Sequence, residues 1–265
     1  MAKRLTEGKC SICGAYGKLT YEHVPPRSAY NERPIVYKDI IKLLERGVEA
    51  PFKGKVKQRG SGAYTLCESC NSRTGHWYGT DYVEWACQGM QLMRFSPNSQ
   101  YFHLPFYIFP LRVIKQILCM FCSIVGPEFT EGNPDLQRFL LNPEIKGMPH
   151  GFRLYVAYNI SNRMRSFGTV ARVQGTKETL FTSSRIDVFS EITFPPFAYI
   201  LTKRQEAPDK RLEDITYFSE CEYSEWRIVY LKLPLLPVYA PVPADYRSKE
   251  KVREDLKKAG YLNEE

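Results

Sequence analysis

The sequence has no long apolar run. A membrane-spanning helix needs about 18–20 such residues, and the best stretch, Leu111 to Val125, is shorter and carries Arg112 and Lys115. Met1-Ala2-Lys3-Arg4 leads into polar residues, with none of the apolar core of a signal peptide. Internal repeats and low-complexity tracts are also missing. Together these absences predict a cytoplasmic chain with no membrane partner. In that setting the eight cysteines do not form a disulfide framework.

What is present is an ordinary globular composition, 43% hydrophobic and 25% charged, with a formal charge of +8. Residues 1–95 hold 15 Lys and Arg against 9 Asp and Glu, so most of the imbalance lies in the cysteine-bearing third. A concentrated basic excess points to a polyanionic partner, the plain alternative being a solvated basic surface.

The chain reads as an α+β protein in two parts, 1–95 and 96–265. In the first, Lys18–Tyr21 and Ala63–Leu66 predict short strands, Ile35–Gly47 a helix closed by Gly47, and Asn71 to Ala86 a second helix. Trp77, Tyr78 and Trp85 on that helix are read as core in preference to base-stacking groups. Pro97 to Pro110 reads as a hinge. In the second part, Leu111–Val125 is apolar all round and predicts a buried helix. Pro134–Leu141 follows as a helix capped by Asn133. From Gly151 the period becomes two, predicting an antiparallel sheet from Phe152–Ile160, Met164–Gln174, Leu180–Phe189, Phe197–Lys203 and Trp226–Leu233. Ser248–Ala259 predicts a charged terminal helix.

The chemistry concentrates in two knuckles, Cys10-x2-Cys13 and Cys67-x2-Cys70. Each turn aims two thiolates the same way, and two such turns supply the four soft ligands of a structural zinc. The 53 residues between Cys13 and Cys67 exceed a plain zinc-ribbon gap and predict an insertion between the knuckles. Cys119-x2-Cys122 lies inside an apolar segment and reads as buried thiols.

Thr20-Tyr21-Glu22-His23-Val24-Pro25-Pro26-Arg27 follows the first knuckle, and Asn71-Ser72-Arg73 follows the second. A carboxylate and an amide oxygen are hard ligands suited to Mg2+ or Mn2+, and a neutral histidine accepts a proton near neutral pH. Neighbours on a strand face opposite ways, so Glu22 and His23 need a bend between them to act together. Arg27, Lys55, Lys57, Arg59 and Arg73 flank these motifs, with Lys53 beside them, and form a candidate phosphate track. His76 reads as a surface or packing histidine.

Residues 10–75 resemble the zinc-stapled HNH (ββα-metal) endonucleases. The resemblance rests on Cys10-x2-Cys13, on Glu22-His23 followed by proline, and on Cys67-x2-Cys70-Asn71. It implies a zinc-stapled strand–strand–helix nuclease domain, with His23 as general base and Glu22 and Asn71 holding a catalytic divalent cation. Nucleic acid is the implied substrate, DNA in preference to RNA, and standalone members with a private partner domain serve in phage defence or mobile elements. The family's middle asparagine, a few residues before the third cysteine, is missing from Gly60-Ser61-Gly62-Ala63-Tyr64-Thr65; Ser61 or a backbone carbonyl is the expected stand-in. The second part is expected to select substrate, bind a protein partner or support a homodimer. A non-catalytic zinc module that binds nucleic acid or protein is the alternative reading.

Overall fold

The computed structural model describes residues 6–39, 42, 54–93, 101–174 and 185–258. Strand β1, Glu7–Lys9, runs antiparallel to β2, Tyr16–His23, across the first knuckle. Two short strands follow, β3, Ile35–Tyr37, and β4, Lys55–Lys57, paired with each other. Then β5, Gly62–Cys67, returns alongside β2 and runs straight into helix α1, Glu68–Thr74. A π turn, Gly75–Gly79, joins α1 to α2, Thr80–Met93, without a break.

The helix expected over Ile35–Gly47 is therefore wrong at its start, which is strand. Most of the remainder lies outside the described residues. Ile35, Val36 and Tyr37 carry the β-branched and aromatic side chains that suit an extended backbone.

The expected hinge over Pro97–Pro110 is also corrected. Tyr101–Ile108 is strand β6, paired along its length with a late strand, Arg227–Leu236. Alternation explains it: Phe106 and Ile108 are buried while His103 and Tyr107 are exposed. Pro105 is tolerated because β6 is a sheet edge.

Helix α3, Pro110–Val125, follows and is buried along most of its length, as its composition requires. Even Lys115 is fully buried; its ammonium donates to the carbonyls of Asn142 and Pro143 at 2.7 and 2.9 Å. Helices α4, Pro127–Glu131, and α5, Pro134–Leu141, come next. The sheet is then completed by β7, Phe152–Asn159, β8, Arg165–Gln174, β9, Arg185–Phe194, β10, Phe197–Lys203, a short β11, Glu213–Asp214, and β12, Arg227–Leu236. Helix α6, Lys249–Lys258, is the last described element.

The strand order is β6-β12-β7-β10-β9-β8, with β11 on β7. Every pairing is antiparallel except β12 with β7, which is parallel and makes the sheet mixed. Helix α3 lies between the cysteine-bearing strands and this sheet. One cluster of buried side chains runs from Ile12 and Leu66, through Tyr78, Trp85 and α3, to Phe197 and Leu231, crossing residues 95/96 without interruption. Trp85 stacks on Phe197 at 4.6 Å and donates its indole N–H to the Tyr199 hydroxyl at 2.8 Å. The Phe197 ring lies where a side chain at Gly89 would stand, 2.4 Å from that position, so only glycine fits.

Candidate functional site

The site is built on the strand–strand–helix unit formed by β2, β5 and α1. The four knuckle cysteines meet: one sulfur from each of Cys10, Cys13, Cys67 and Cys70 lies within 4.8 Å of the others. The Cys13 and Cys67 sulfurs are 3.8 Å apart. A tetrahedron with zinc–sulfur bonds of about 2.3 Å has edges of about 3.8 Å, so the cluster fits a zinc ion.

Local structure sets this geometry. The backbone N–H of Gly14 returns to the Cys10 carbonyl at 2.9 Å, with Gly14 at positive φ closing the first knuckle. In the second, the Cys70 N–H points at the Cys67 sulfur, which caps the N-terminus of α1. A hydrogen bond from Cys70, with backbone N–H groups behind it, holds the Cys10 thiol well below its ordinary value.

The knuckle loops are anchored from outside. Ser11 N–H bonds the carbonyl of Thr65, the extra residue that bulges β5 opposite Thr20 and Tyr21. The Ser11 and Ile12 carbonyls accept from the side chains of Thr130 and Gln137, on α4 and α5.

Thr20 and Glu22 share one face of β2. Asn71 on α1 donates its amide N–H to the Thr20 hydroxyl at 2.9 Å, leaving its amide oxygen as the remaining acceptor. Glu22 is buried, and burial alone pushes its carboxyl up to about 7. Cys119 on α3 lies close enough for the Glu22 charge to raise its thiol, so α3 backs the Glu22 side. Both Cys119 and Cys122 are buried thiols, as read from the sequence.

His23 leaves β2 on the other, more open face. No bend separates it from Glu22, since β2 runs through both. Its imidazole packs edge-on to Tyr21 at 4.9 Å. Burial holds its pKa below the usual value, helped by the positive charges of Arg27 and Arg59 and opposed by a hydrogen bond to the Arg59 backbone. Burial and the two guanidinium groups therefore favour the neutral imidazole.

Sequence reasoning missed Asn31. It is 1% exposed and ties the turn after His23 to the turn before β5. Its amide N–H2 donates to the carbonyls of Pro25 and Ser61, both at 2.7 Å, and its oxygen accepts from Ser61 N–H at 2.7 Å. Gly60 is required beside it: φ is +74°, and an added Cβ would sit 2.3 Å from the Asn31 side-chain oxygen. Ser61 takes part through its backbone.

Arg27, Lys55, Arg59 and Arg73 are exposed and Lys57 is partly so. The Lys57 ammonium reaches the carbonyl of Gly62, the residue paired with His23. The Arg59 guanidinium lies 5.6 Å from the Tyr21 ring. Arg73 turns back along α1 to Ser69 and lies over Trp77. His76 is exposed on the π turn and joins no cluster of ligand-type residues. Tyr78 and Trp85 are core. None of the described helices is long and apolar enough to cross a membrane. Comparison with protein-family models, with curated proteins and with solved structures returns no match.

Proposed function

We propose that the protein is a metal-dependent endonuclease of the HNH type, hydrolysing phosphodiester bonds in nucleic acid. The observation that carries the reading is the four-sulfur cluster that ties β2 to the start of α1, the strand–strand–helix frame on which Glu22, His23 and Asn71 stand. Glu22 is buried, and Asn71 bonds Thr20, two residues before it on the same strand. His23, near Arg27 and Arg59, leaves the opposite face of β2.

Zinc on the four cysteines would hold β2 and α1 in register. The Glu22 and Asn71 donor set fits Mg2+ or Mn2+: both oxygens are hard ligands, and among the described residues no side-chain cation pairs with Glu22. A cation there would neutralise charge on the phosphate and its leaving oxygen, and sharing that phosphate with His23 requires β2 to bend between Glu22 and His23 on binding. His23 takes the proton of the attacking water, with the Arg59 backbone orienting the ring. Arg27 and Arg59 hold the scissile phosphate beside it. Asn31 keeps the two turns that carry these groups at a fixed separation.

The test is supercoiled plasmid with Mg2+ or Mn2+, with and without chelator, wild type beside His23→Ala. Nicking that needs the cation and disappears in the variant supports the reading. Nicking that persists in the variant removes His23 from its role. No cleavage of plasmid, of single strands or of RNA by the zinc-loaded protein would favour the non-catalytic zinc module.

A further inference from the structure

The insertion between the two knuckles carries a small β-ribbon that the catalytic proposal does not use. It consists of β3 and β4, with Ile35 opposite Lys57, Val36 opposite Val56 and Tyr37 opposite Lys55. Side chains alternate, so Ile35, Tyr37, Lys55 and Lys57 share one face and Val36 and Val56 the other. The Lys57 ammonium lies 4.9 Å over the Tyr37 ring, the diagonal contact this register gives.

Neither face is used for packing in the way a strand pair needs. Val36 is 61% exposed, Val56 53% and Tyr37 50%. A two-stranded ribbon on its own is marginal in water, and here two valines and a tyrosine stand in solvent. The charges on and around it are mostly positive: Lys55 and Lys57 on the ribbon, Arg33 and Lys38 at either end of β3, Arg59 after β4 and Arg27 in the preceding turn, against Glu32 and Asp39.

The ribbon is also continuous with the candidate catalytic edge. Lys57 bonds the Gly62 carbonyl and Gly62 pairs with His23. The Tyr37–Lys55–Lys57 face therefore leads to the imidazole with only β5 between.

We infer that the β3–β4 ribbon is a groove-inserting arm for double-stranded DNA. Two strands about 4.8 Å apart with their side chains fill the B-form major groove, which is about 12 Å wide and admits a two-stranded ribbon. Lys55 and Lys57 take phosphates along the groove wall, and the valines offer apolar contact to base edges such as the thymine methyl. Duplex RNA would be a poor occupant, because its A-form major groove is deep and too narrow for side chains to read. The inference names the substrate of the proposed nuclease and to that extent rests on it, but binding is measured apart from cleavage.

The experiment is fluorescence anisotropy with a labelled duplex DNA of two helical turns, the same sequence as duplex RNA, and its single strand. Full-length protein is used without added divalent cation, as wild type, Lys55→Glu/Lys57→Glu and Val36→Ser/Val56→Ser. Circular dichroism and zinc content check the fold of each. The expected result is duplex DNA bound at least tenfold more tightly than duplex RNA. The lysine variant should lose about tenfold or more, with a salt slope shallower by about two. The valine variant should lose a smaller factor. Equal affinity for both duplexes, or a lysine variant that binds DNA like wild type, overturns the ribbon. So does a valine variant that turns a dimer into a monomer while leaving DNA affinity intact, since the ribbon's partner is then a second copy. Duplex binding without cleavage in any metal would remove the nuclease and leave the ribbon standing.

Discussion

The cysteine-bearing strands and the seven-stranded sheet keep their shapes by different means. In the sheet, β7 and β10 are buried almost throughout, one face against α3 and the other against the segment that follows β12. Area removed from water holds it together. In the β2–β5–α1 unit, position depends on a few directional contacts: four sulfurs, the Asn31 bonds to Pro25 and Ser61, and Asn71 on Thr20. The first arrangement tolerates small changes of shape. The second loses its geometry when one member is removed, which is what a site needing fixed positions requires.

The sharpest way to break the contrast is to take away the staple. Cys67→Ser, or zinc removal by a strong chelator, is expected to disorder the knuckles, with a free-energy change on the order of 10 kcal/mol at the metal site. Elemental analysis should give one zinc per wild-type chain and none in the variant. Zinc-free wild type with unchanged melting would show that the cysteines are only packed thiols.

Next comes the shared core. Trp85→Ala removes the stack on Phe197 and the bond to Tyr199 and is expected to cost about 3–5 kcal/mol by denaturant unfolding. If the two regions were independent, a sheet-specific probe would not report this loss, although Trp85 lies on the helix that continues α1.

Glu22 gives a pH signature. Its folded pKa of about 7 lies above the unfolded value, so the folded state binds the extra proton between pH 4.5 and 7. Stability from this group is present at pH 4.5 and is lost as pH rises to 7, by about 3 kcal/mol. Glu22→Gln should flatten the fall, and Mg2+ or Mn2+ should reverse it in wild type only. A wild-type melting temperature that rises across this window, with the Gln variant parallel to it, would contradict the burial of an ionisable Glu22.

Asn31→Ala is expected to cost about 2 kcal/mol, through Ser61 N–H and two carbonyls left short of partners. Any cleavage activity should fall far more than stability does. Asn31→Asp keeps the acceptor for Ser61 N–H and loses both donors, so it should be no better. The smallest effect belongs to the exposed Lys9–Glu131 pair, whose removal should leave melting unchanged.

Both knuckles, the strand on each side of the insertion and the helix after the second were legible in the sequence, because their signals are local: a two-residue spacing, an alternation, a cap. The sheet strands were legible for the same reason, although β9 runs on to Phe194, five residues past the expected end at Phe189, and β12 to Leu236, past the expected end at Leu233. Three features were not. The β6 strand was hidden by Pro105, and its partner strand lies far along the chain. Asn31 was hidden because its partner Ser61 is 30 residues away and no spacing rule links them. The parallel β12–β7 contact depends on where the whole sheet folds.

The π turn at Gly75–Gly79 sets the phase of the long helix. One extra residue in a turn amounts to about 100° of rotation at 3.6 residues per turn. Upstream of it, Cys70 and Asn71 must face the sulfur cluster and Thr20; downstream, Trp85 and Gly89 must face Phe197. Deleting a single residue from the turn would restore a regular helix and put those two halves out of step, so one end could seat only by unseating the other. The turn works as a phase shifter that lets one rod mesh with two differently cut gears.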